Sequence, residues 1–312
     1  MTRRVLLTGA SGFIGRQVLA PLLARDFEVH AVARRPVPEA PRTVHWHAAD
    51  LLAPGAAEAL ISAVRPSHLL HLAWYVEHGA YWSSPENLRW VEASLALVRS
   101  FREARGARAL IAGTCAEYDW TRGERCAEGS TPLVPATLYG TCKHALRQVV
   151  ESYARTTGLS AAWGRIFLLY GPHESPRRLV ASVVQSLLRG EPARCSSGEQ
   201  LRDLLHVADV ADAFVSLLDS GVTGAVNVAS GDPVRLRDAV QELARRAGRE
   251  DLVQLGAIPA AANDPAVLTA DVTRLRDEVG WRPRFDLGTG LEDTLEWWRA
   301  RMANGRQELQ PR

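Results

Sequence analysis

The first apolar run, Val5-Leu6-Leu7, is cut off by Thr8-Gly9-Ala10-Ser11-Gly12-Phe13-Ile14-Gly15, which carries three glycines spaced three apart. A short apolar run ending in turn residues reads as a buried strand. The spacing of Val18, Leu19, Leu22 and Leu23 behind it reads as an amphipathic helix opening near Phe13. The alternation then recurs. Strands are expected over 27–33, 44–48, 67–73, 109–113 and 161–168, with helices over 55–63, 86–105 and 138–155 between them. Strands alternating with helices predict an α/β fold: a Rossmann-like, doubly wound parallel sheet with helices on both faces. Past Tyr170 the pattern is more broken. It predicts helices over 176–190, 209–220, 236–247, 272–279 and 291–302, short strands over 191–197, 204–207 and 226–229, and a frayed tail from Gln307. Asp209 is placed to cap its helix.

The glycine turn is the first piece of chemistry. Gly9 permits a tight turn, Gly12 removes a side chain between backbone and a phosphate, and Gly15 lets helix and strand approach closely. Ser11, Phe13 and Ile14 share that turn, whose free N–H groups and helix dipole suit the pyrophosphate of a dinucleotide. At the end of the second strand, where a carboxylate would select a ribose 2′-hydroxyl, the chain has Ala33-Arg34-Arg35. Arginines there fork onto a 2′-phosphate, favouring NADP(H) over NAD(H), or they form a solvated loop pair. Asp50 and Leu51 end the third strand, and Asp50 either meets the adenine amino group or caps the next helix. Leu72 and Ala73 end the fourth strand beside the expected cofactor, and His71 just before them reads as a hydrogen-bonded core histidine. The aromatic loop Trp74–Trp82 lies where open α/β sheets bind ligands; it walls a pocket or packs against a second lobe or a partner.

Composition narrows the class. At 312 residues the chain exceeds a usual single core, so two lobes are expected. We assign 1–170 to a dinucleotide-binding domain, with 204–230 returning to it, and mainly 171–203 and 231–312 to a smaller substrate-binding lobe. A net charge of +2 argues against a nucleic-acid partner. No run approaches a membrane span, and the first thirty residues carry no signal-peptide pattern. Cys115, Cys126, Cys142 and Cys195 have no zinc or disulfide spacing, so no metal site and a cytoplasmic, reduced setting are expected.

Tyr139 and Lys143 stand four apart on one helix face. A cation beside a phenol lowers its pKa toward neutrality, and the same Lys can reach the ribose of a bound cofactor. Thr114, ending the preceding strand, can hydrogen-bond the same reacting oxygen. These three suit hydride transfer between a carbinol or ketone carbon and a nicotinamide. The chain resembles the extended short-chain dehydrogenases/reductases of the NAD-dependent epimerase/dehydratase family, which act on nucleotide sugars. The resemblance runs through residues 8–15, His71-Leu72-Ala73, Thr114 with Tyr118, Tyr139 with Lys143, and Arg165 with Tyr170-Gly171-Pro172. It continues through residues 202–211, Asn227 with Ser230-Gly231, and Gly280-Trp281-Arg282-Pro283. It implies Tyr139 as acid/base, Lys143 as the partner lowering its pKa, and Thr114 in the Ser/Thr role. It also implies a nucleotide-sugar substrate touched by Trp74, Cys115 and Arg202, with Arg202 on the diphosphate. The bland reading of Arg202 is a structural pair with Asp203 or Asp209. A homodimer is implied too, and Leu88, Val91, Leu95 and Val98 of the helix over 86–105 would allow it.

Related 4,6-dehydratases follow the Thr with Asp-Glu, where this chain has Cys115 and Ala116, which cannot perform acid–base elimination. Glu117 comes one position late and is expected to point to the other side of a strand. That leaves a 4-ketoreductase or a 4-epimerase. Arg34 and Arg35, and the likeness of Gly113-Thr114-Cys115-Ala116-Glu117-Tyr118 to CDP- and dTDP-deoxysugar 4-ketoreductases of the CDP-abequose synthase type, favour the reductase. A catalytically idle dinucleotide sensor is the remaining alternative, and it would have no chemical reason to keep the Thr114, Tyr139 and Lys143 set. One departure stands out: Trp90 falls where many members of the family have Asn.

Overall fold

The computed structural model describes residues 3–35, 42–260 and 264–307. The expected frayed tail lies almost wholly outside them. Strands β1 (Arg4–Thr8), β2 (Glu28–Ala33), β3 (His45–Ala48), β4 (His68–His71) and β5 (Arg108–Thr114) alternate with α1 (Gly15–Ala24), α2 (Ala56–Val64) and α3 (Glu86–Glu103). After β6 (Arg125–Cys126) come α4 (Leu138–Thr157), β7 (Ser160–Ile166), β8 (Leu168–Tyr170), α5 (Leu179–Arg189), β9 (Ala193–Arg194) and β10 (Leu201–His206). The chain closes with α6 (Val207–Asp219), β11 (Gly224–Val228), β12 (Pro233–Arg235), α7 (Leu236–Ala247), β13 (Val253–Gln254), β14 (Val267–Ala270) and α8 (Leu287–Gln307).

Seven parallel strands form the main sheet in the order β11-β7-β5-β4-β1-β2-β3. The order reverses direction between β1 and β4, where ligands bind in doubly wound sheets. Alternation within β1 supplies both faces. Val5 and Leu7 join the core under α1 and α6, while Leu6 joins the core under α2, α3 and α4. A second sheet has the order β12-β10-β14-β6 with β8 against β10, and α5, α7 and α8 enclose a third core. Strands β6, β12 and β13 have two or three residues each, too few to show a strand period in the sequence. Among the described residues no helix is long and apolar enough to cross a membrane.

Several expectations need correcting. The first helix starts at Gly15 rather than near Phe13, because Gly9 (φ +72°) and the Gly12 N–H to Gly9 carbonyl bond keep the turn tight. The helix over 176–190 begins only at Leu179, after Pro176, and 272–279 narrows to a π-helical turn, Arg274–Glu278. Asp50 does not cap α2; it accepts from Leu52 N in a local turn, and Gly55 precedes the helix. Val98 is core, packed with Leu97 and Phe101, so it is not available to a partner chain. Asp209 does not cap α6 either. It sits buried inside the first turn and accepts from Arg284 N (3.1 Å) and Phe285 N (2.9 Å), tying the Gly280–Phe285 stretch to the start of α6. Removing it leaves two part-buried backbone donors without their acceptor. Asp209→Ala is therefore expected to lower stability by about 2–3 kcal/mol, read as a lower urea midpoint at unchanged slope.

Candidate active site

The glycine turn lies directly against the end of β4. A Cβ on Gly9 would sit 2.8 Å from Ala73 N and 2.9 Å from the Leu72 carbonyl carbon, and a Cβ on Gly15 would collide with the Gly9 carbonyl. At Gly12 a Cβ would meet one atom, Gly9 O, at 3.1 Å, so that face of the turn is open. Ser11 and Gly12 are exposed, and Phe13 and Ile14 are partly covered. No described side chain caps α1 and no acidic residue lies in its first turn. A glycine-lined helix start with no acidic residue in its first turn fits a dinucleotide pyrophosphate. Arg16 folds back onto the turn, donating to Ser11 O (2.8 Å) and Gly12 O (3.3 Å).

A hydrogen-bond chain fixes the floor. Ala73 N donates to Thr8 Oγ1 (3.3 Å), which lies 2.7 Å from His71 Nδ1, and His71 Nε2 lies 2.8 Å from Ser94 Oγ, which donates to Trp90 O. Because Ser94 spends its proton on Trp90 O, His71 donates from Nε2 and accepts at Nδ1. That is a neutral imidazole, and burial lowers its pKa to about 3. His71 is thus a satisfied core histidine. Leu51 is buried in the core beside α2, whereas Asp50 and both Arg34 and Arg35 are exposed where β2 and β3 end.

Thr114, Tyr139 and Lys143 come together, all buried. Thr114 Oγ1 accepts from Ala116 N (3.2 Å) and is near enough to the Tyr139 phenol to favour its ionised form. Lys143 Nζ donates to Ala112 O (2.8 Å) and stands 3.7 Å from the centroid of the Trp74 ring. The expected lowering of the phenol's pKa by Lys143 is not what this arrangement does. Burial pushes Tyr139 up, opposed by the Thr114 hydroxyl, and burial pulls Lys143 down to about 7, opposed by the Glu117 carboxylate. The phenol is held protonated. The aromatic loop packs on it: Tyr81 lies edge-on at 4.9 Å, Trp82 at 5.8 Å and Trp74 at 6.5 Å. Asn87, fully buried, holds that loop by accepting from Trp74 Nε1 (2.8 Å) and donating to Tyr81 O (2.7 Å).

Glu117 is the residue that spacing misjudged. The chain leaves the sheet at Thr114, and Cys115–Glu117 is a 3-10 turn, so Glu117 swings back under the strand end instead of facing away. It is fully buried and accepts from Thr114 N (3.1 Å), Trp163 Nε1 (2.7 Å) and Arg165 Nε (3.1 Å), with Arg147 Nε at 3.5 Å. The Thr-x-x-Glu capping box was the signal in the sequence. These contacts occupy Glu117, so it cannot replace the missing dehydratase carboxylates. Cys115 is buried, and burial raises its thiol to about 12. Arg202 is buried but pairs with neither Asp203 nor Asp209. It reaches Asp264 and Pro265 O, while Asp203 accepts from Ser230 and Gly231.

The sequence model of the NAD dependent epimerase/dehydratase family matches residues 5–229, and the chain belongs to that family. It is 27% identical to the UDP-glucose 4-epimerase of Corynebacterium glutamicum, over 93% of this chain and 94% of that one. The solved structure of Thermus thermophilus UDP-glucose 4-epimerase in complex with NAD superposes with a TM-score of 0.83 at 28% identity, covering 95% of this chain and 99% of that one. MoeE5 in complex with UDP-glucuronic acid and NAD gives a TM-score of 0.83 at 30% identity, covering 96% and 99%. The family and the Rossmann-like α/β fold expected from the sequence are borne out.

Two outcomes follow. Glu117→Gln leaves two guanidinium groups facing a neutral amide, so stability should fall by about 3–5 kcal/mol, measured by urea unfolding. Below pH 6.5 the unfolded chain takes up a proton that folded His71 refuses down to about pH 3, so stability is lost as pH falls through that window. His71→Gln should make stability between pH 6.5 and 5 less steep by up to about 1.4 kcal/mol per pH unit.

Proposed function

We propose that this chain is an NADPH-dependent oxidoreductase that reduces the 4-keto group of a 4-keto-6-deoxy sugar nucleotide. The observation that carries the reading is the end of β2, where Ala33-Arg34-Arg35 offers two exposed guanidinium groups and no carboxylate. Such a strand end attracts a 2′-phosphate and gives a 2′-hydroxyl no acceptor. Gly9, Ser11, Gly12, Phe13, Ile14 and Gly15 would receive the pyrophosphate, Asp50 and Leu51 the adenine, and Leu72 and Ala73 the nicotinamide half. When bound, the nicotinamide supplies the hydride that adds to the sugar's C4.

The chain's own groups supply the rest. Tyr139, held protonated by burial, is in the state a reduction needs first, and it gives its proton to the carbonyl oxygen. Thr114 donates to the same oxygen and steadies the developing charge. Lys143, near neutrality in pKa, restores the phenol's proton and holds the cofactor ribose. For that contact the Trp74 ring must leave Lys143 Nζ, which makes Trp74 a wall that yields to cofactor. Cys115 borders the sugar, and Arg202 exchanges Asp264 for the substrate diphosphate. Exposed Leu88 on α3 and Val149 on α4 suit a homodimer.

A second reading, a 4-epimerase that retains NAD, is favoured by the NAD-bound relatives at 28% and 30% identity. An assay separates the two. With NADPH and a CDP- or dTDP-linked 4-keto-6-deoxyhexose, the protein should oxidise NADPH, and Tyr139→Phe should lower kcat about 10²–10⁴-fold while NADPH affinity holds. Full turnover by Tyr139→Phe, or interconversion of UDP-hexoses without added cofactor, would overturn the reductase.

A further inference from the structure

Four side chains at the outer edge of the main sheet take no part in the site above. Strands β2 and β3 pair with His30 opposite His45 and Val32 opposite His47. Val29, Ala31 and Trp46 pack toward the core under α1, so alternation leaves Glu28, His30, His45 and His47 on the opposite face. The His30 ring stacks 4.7 Å from His45 and 5.1 Å from His47. His30 Nδ1 lies 2.9 Å from His47 Nε2, and His30 Nε2 lies 2.9 Å from Glu28 Oε1. One ligand atom each from Glu28, His30 and His45 falls within 4.8 Å of the others. Arg4 holds Glu28 through Nε (2.9 Å) and Nη2 (3.2 Å).

These contacts assign the imidazole lone pairs. An ionised carboxylate only accepts, so His30 carries its proton on Nε2 and its Nδ1 lone pair accepts from His47 Nε2–H, the proton whose place an entering ion takes. A carboxylate behind an imidazole is the arrangement that fixes the tautomer of a metal-binding histidine and raises its basicity. Two nitrogens on one tetrahedral zinc stand about 3.3 Å apart for bonds of 2.0–2.1 Å. The His30–His47 pair is already close to that separation. His45 is exposed and stacked on the His30 ring; its ligand atom converges with those of His30 and Glu28 but not with that of His47, so it must turn toward the His30–His47 pair to meet an ion arriving from solvent. Since Arg4 offsets the charge of Glu28, the donors are in effect neutral imidazoles, which suit borderline transition ions rather than calcium or magnesium.

We propose that His30, His45 and His47, with Glu28 bracing His30, form a binding site for a divalent transition ion such as Zn²⁺ or Ni²⁺, separate from the dinucleotide and sugar sites. Its occupation pins the edge strand β3 to β2 and stabilises the folded chain.

The test uses the untagged, metal-stripped full-length protein, titrated with ZnCl₂ and NiCl₂ by calorimetry and followed by thermal unfolding. The expected result is one ion per chain and a higher Tm. Glu28→Gln should weaken binding about 10–100-fold, and His30→Ala and His45→Asn should each weaken it by at least as much. NADPH affinity should not change in His45→Asn, whose exposed position leaves folding intact. Absence of saturable binding by the wild-type chain would overturn the proposal. So would binding that survives His30→Ala and His45→Asn combined, which places the ion elsewhere. If the close nitrogens merely share a proton, the wild-type titration is the arm that fails.

Discussion

The candidate active site rests on one buried carboxylate. Glu117 accepts from the Thr114 backbone, the Trp163 indole and Arg165, with Arg147 alongside, and is itself wholly shielded from solvent. A charge so placed is tolerable only with its partners complete. Its carboxylate therefore dictates where β5 ends, how the turn leaves it and which way Thr114 faces. The network continues outward. Arg165 donates to the Tyr118 hydroxyl (3.0 Å), Tyr118 donates to Asn227 (2.8 Å), and Asn227 donates to Cys126 O and Asp271 O (3.0 Å each). A path of hydrogen bonds thus joins the end of β5 to β6 of the second sheet and to Asp271 just after β14.

Around that anchor, burial sets the resting chemistry. The same desolvation that keeps Tyr139 protonated strips Lys143 of much of its preference for charge, and Glu117 partly restores it. Burial thus raises the pKa of the phenol and lowers that of the ammonium four residues along the same helix. The aromatic loop completes the arrangement by excluding water from the phenol and by setting Trp74 against Lys143. The tryptophans and tyrosines of that loop pack in one cluster with Tyr139.

Much of this was legible in the sequence. Long apolar strands and periodic helices carry their own signal, so the sheet and the glycine turn were readable from residues 5–15 alone. Thr114, Tyr139 and Lys143 were readable because each follows from a strand end or a helical spacing. Other features escaped for identifiable reasons. Glu117 was misjudged because strand alternation was extended one turn too far, past the capping box that ends it. Asp209 looked like a cap because its neighbours form a helix, but its partners are Arg284 and Phe285, seventy-five residues or more away in sequence. Arg202 and Asp264 are likewise joined only by the fold. Electrostatic balance was the least legible. A Tyr–Lys pair predicts a lowered phenol, whereas the observed environment is dominated by burial, which no spacing rule reports.

The central claim is that this member of the family takes up fresh NADPH rather than retaining NAD. The most direct measurement is to extract whatever nucleotide co-purifies with the protein, then titrate the stripped protein with NADPH, NADH, NADP and NAD. The account predicts a protein that purifies empty, binds NADPH more tightly than NADH, and loses that preference in Arg34→Ala. Stoichiometric NAD in the purified protein, with Arg34→Ala indistinguishable from wild type, would contradict it.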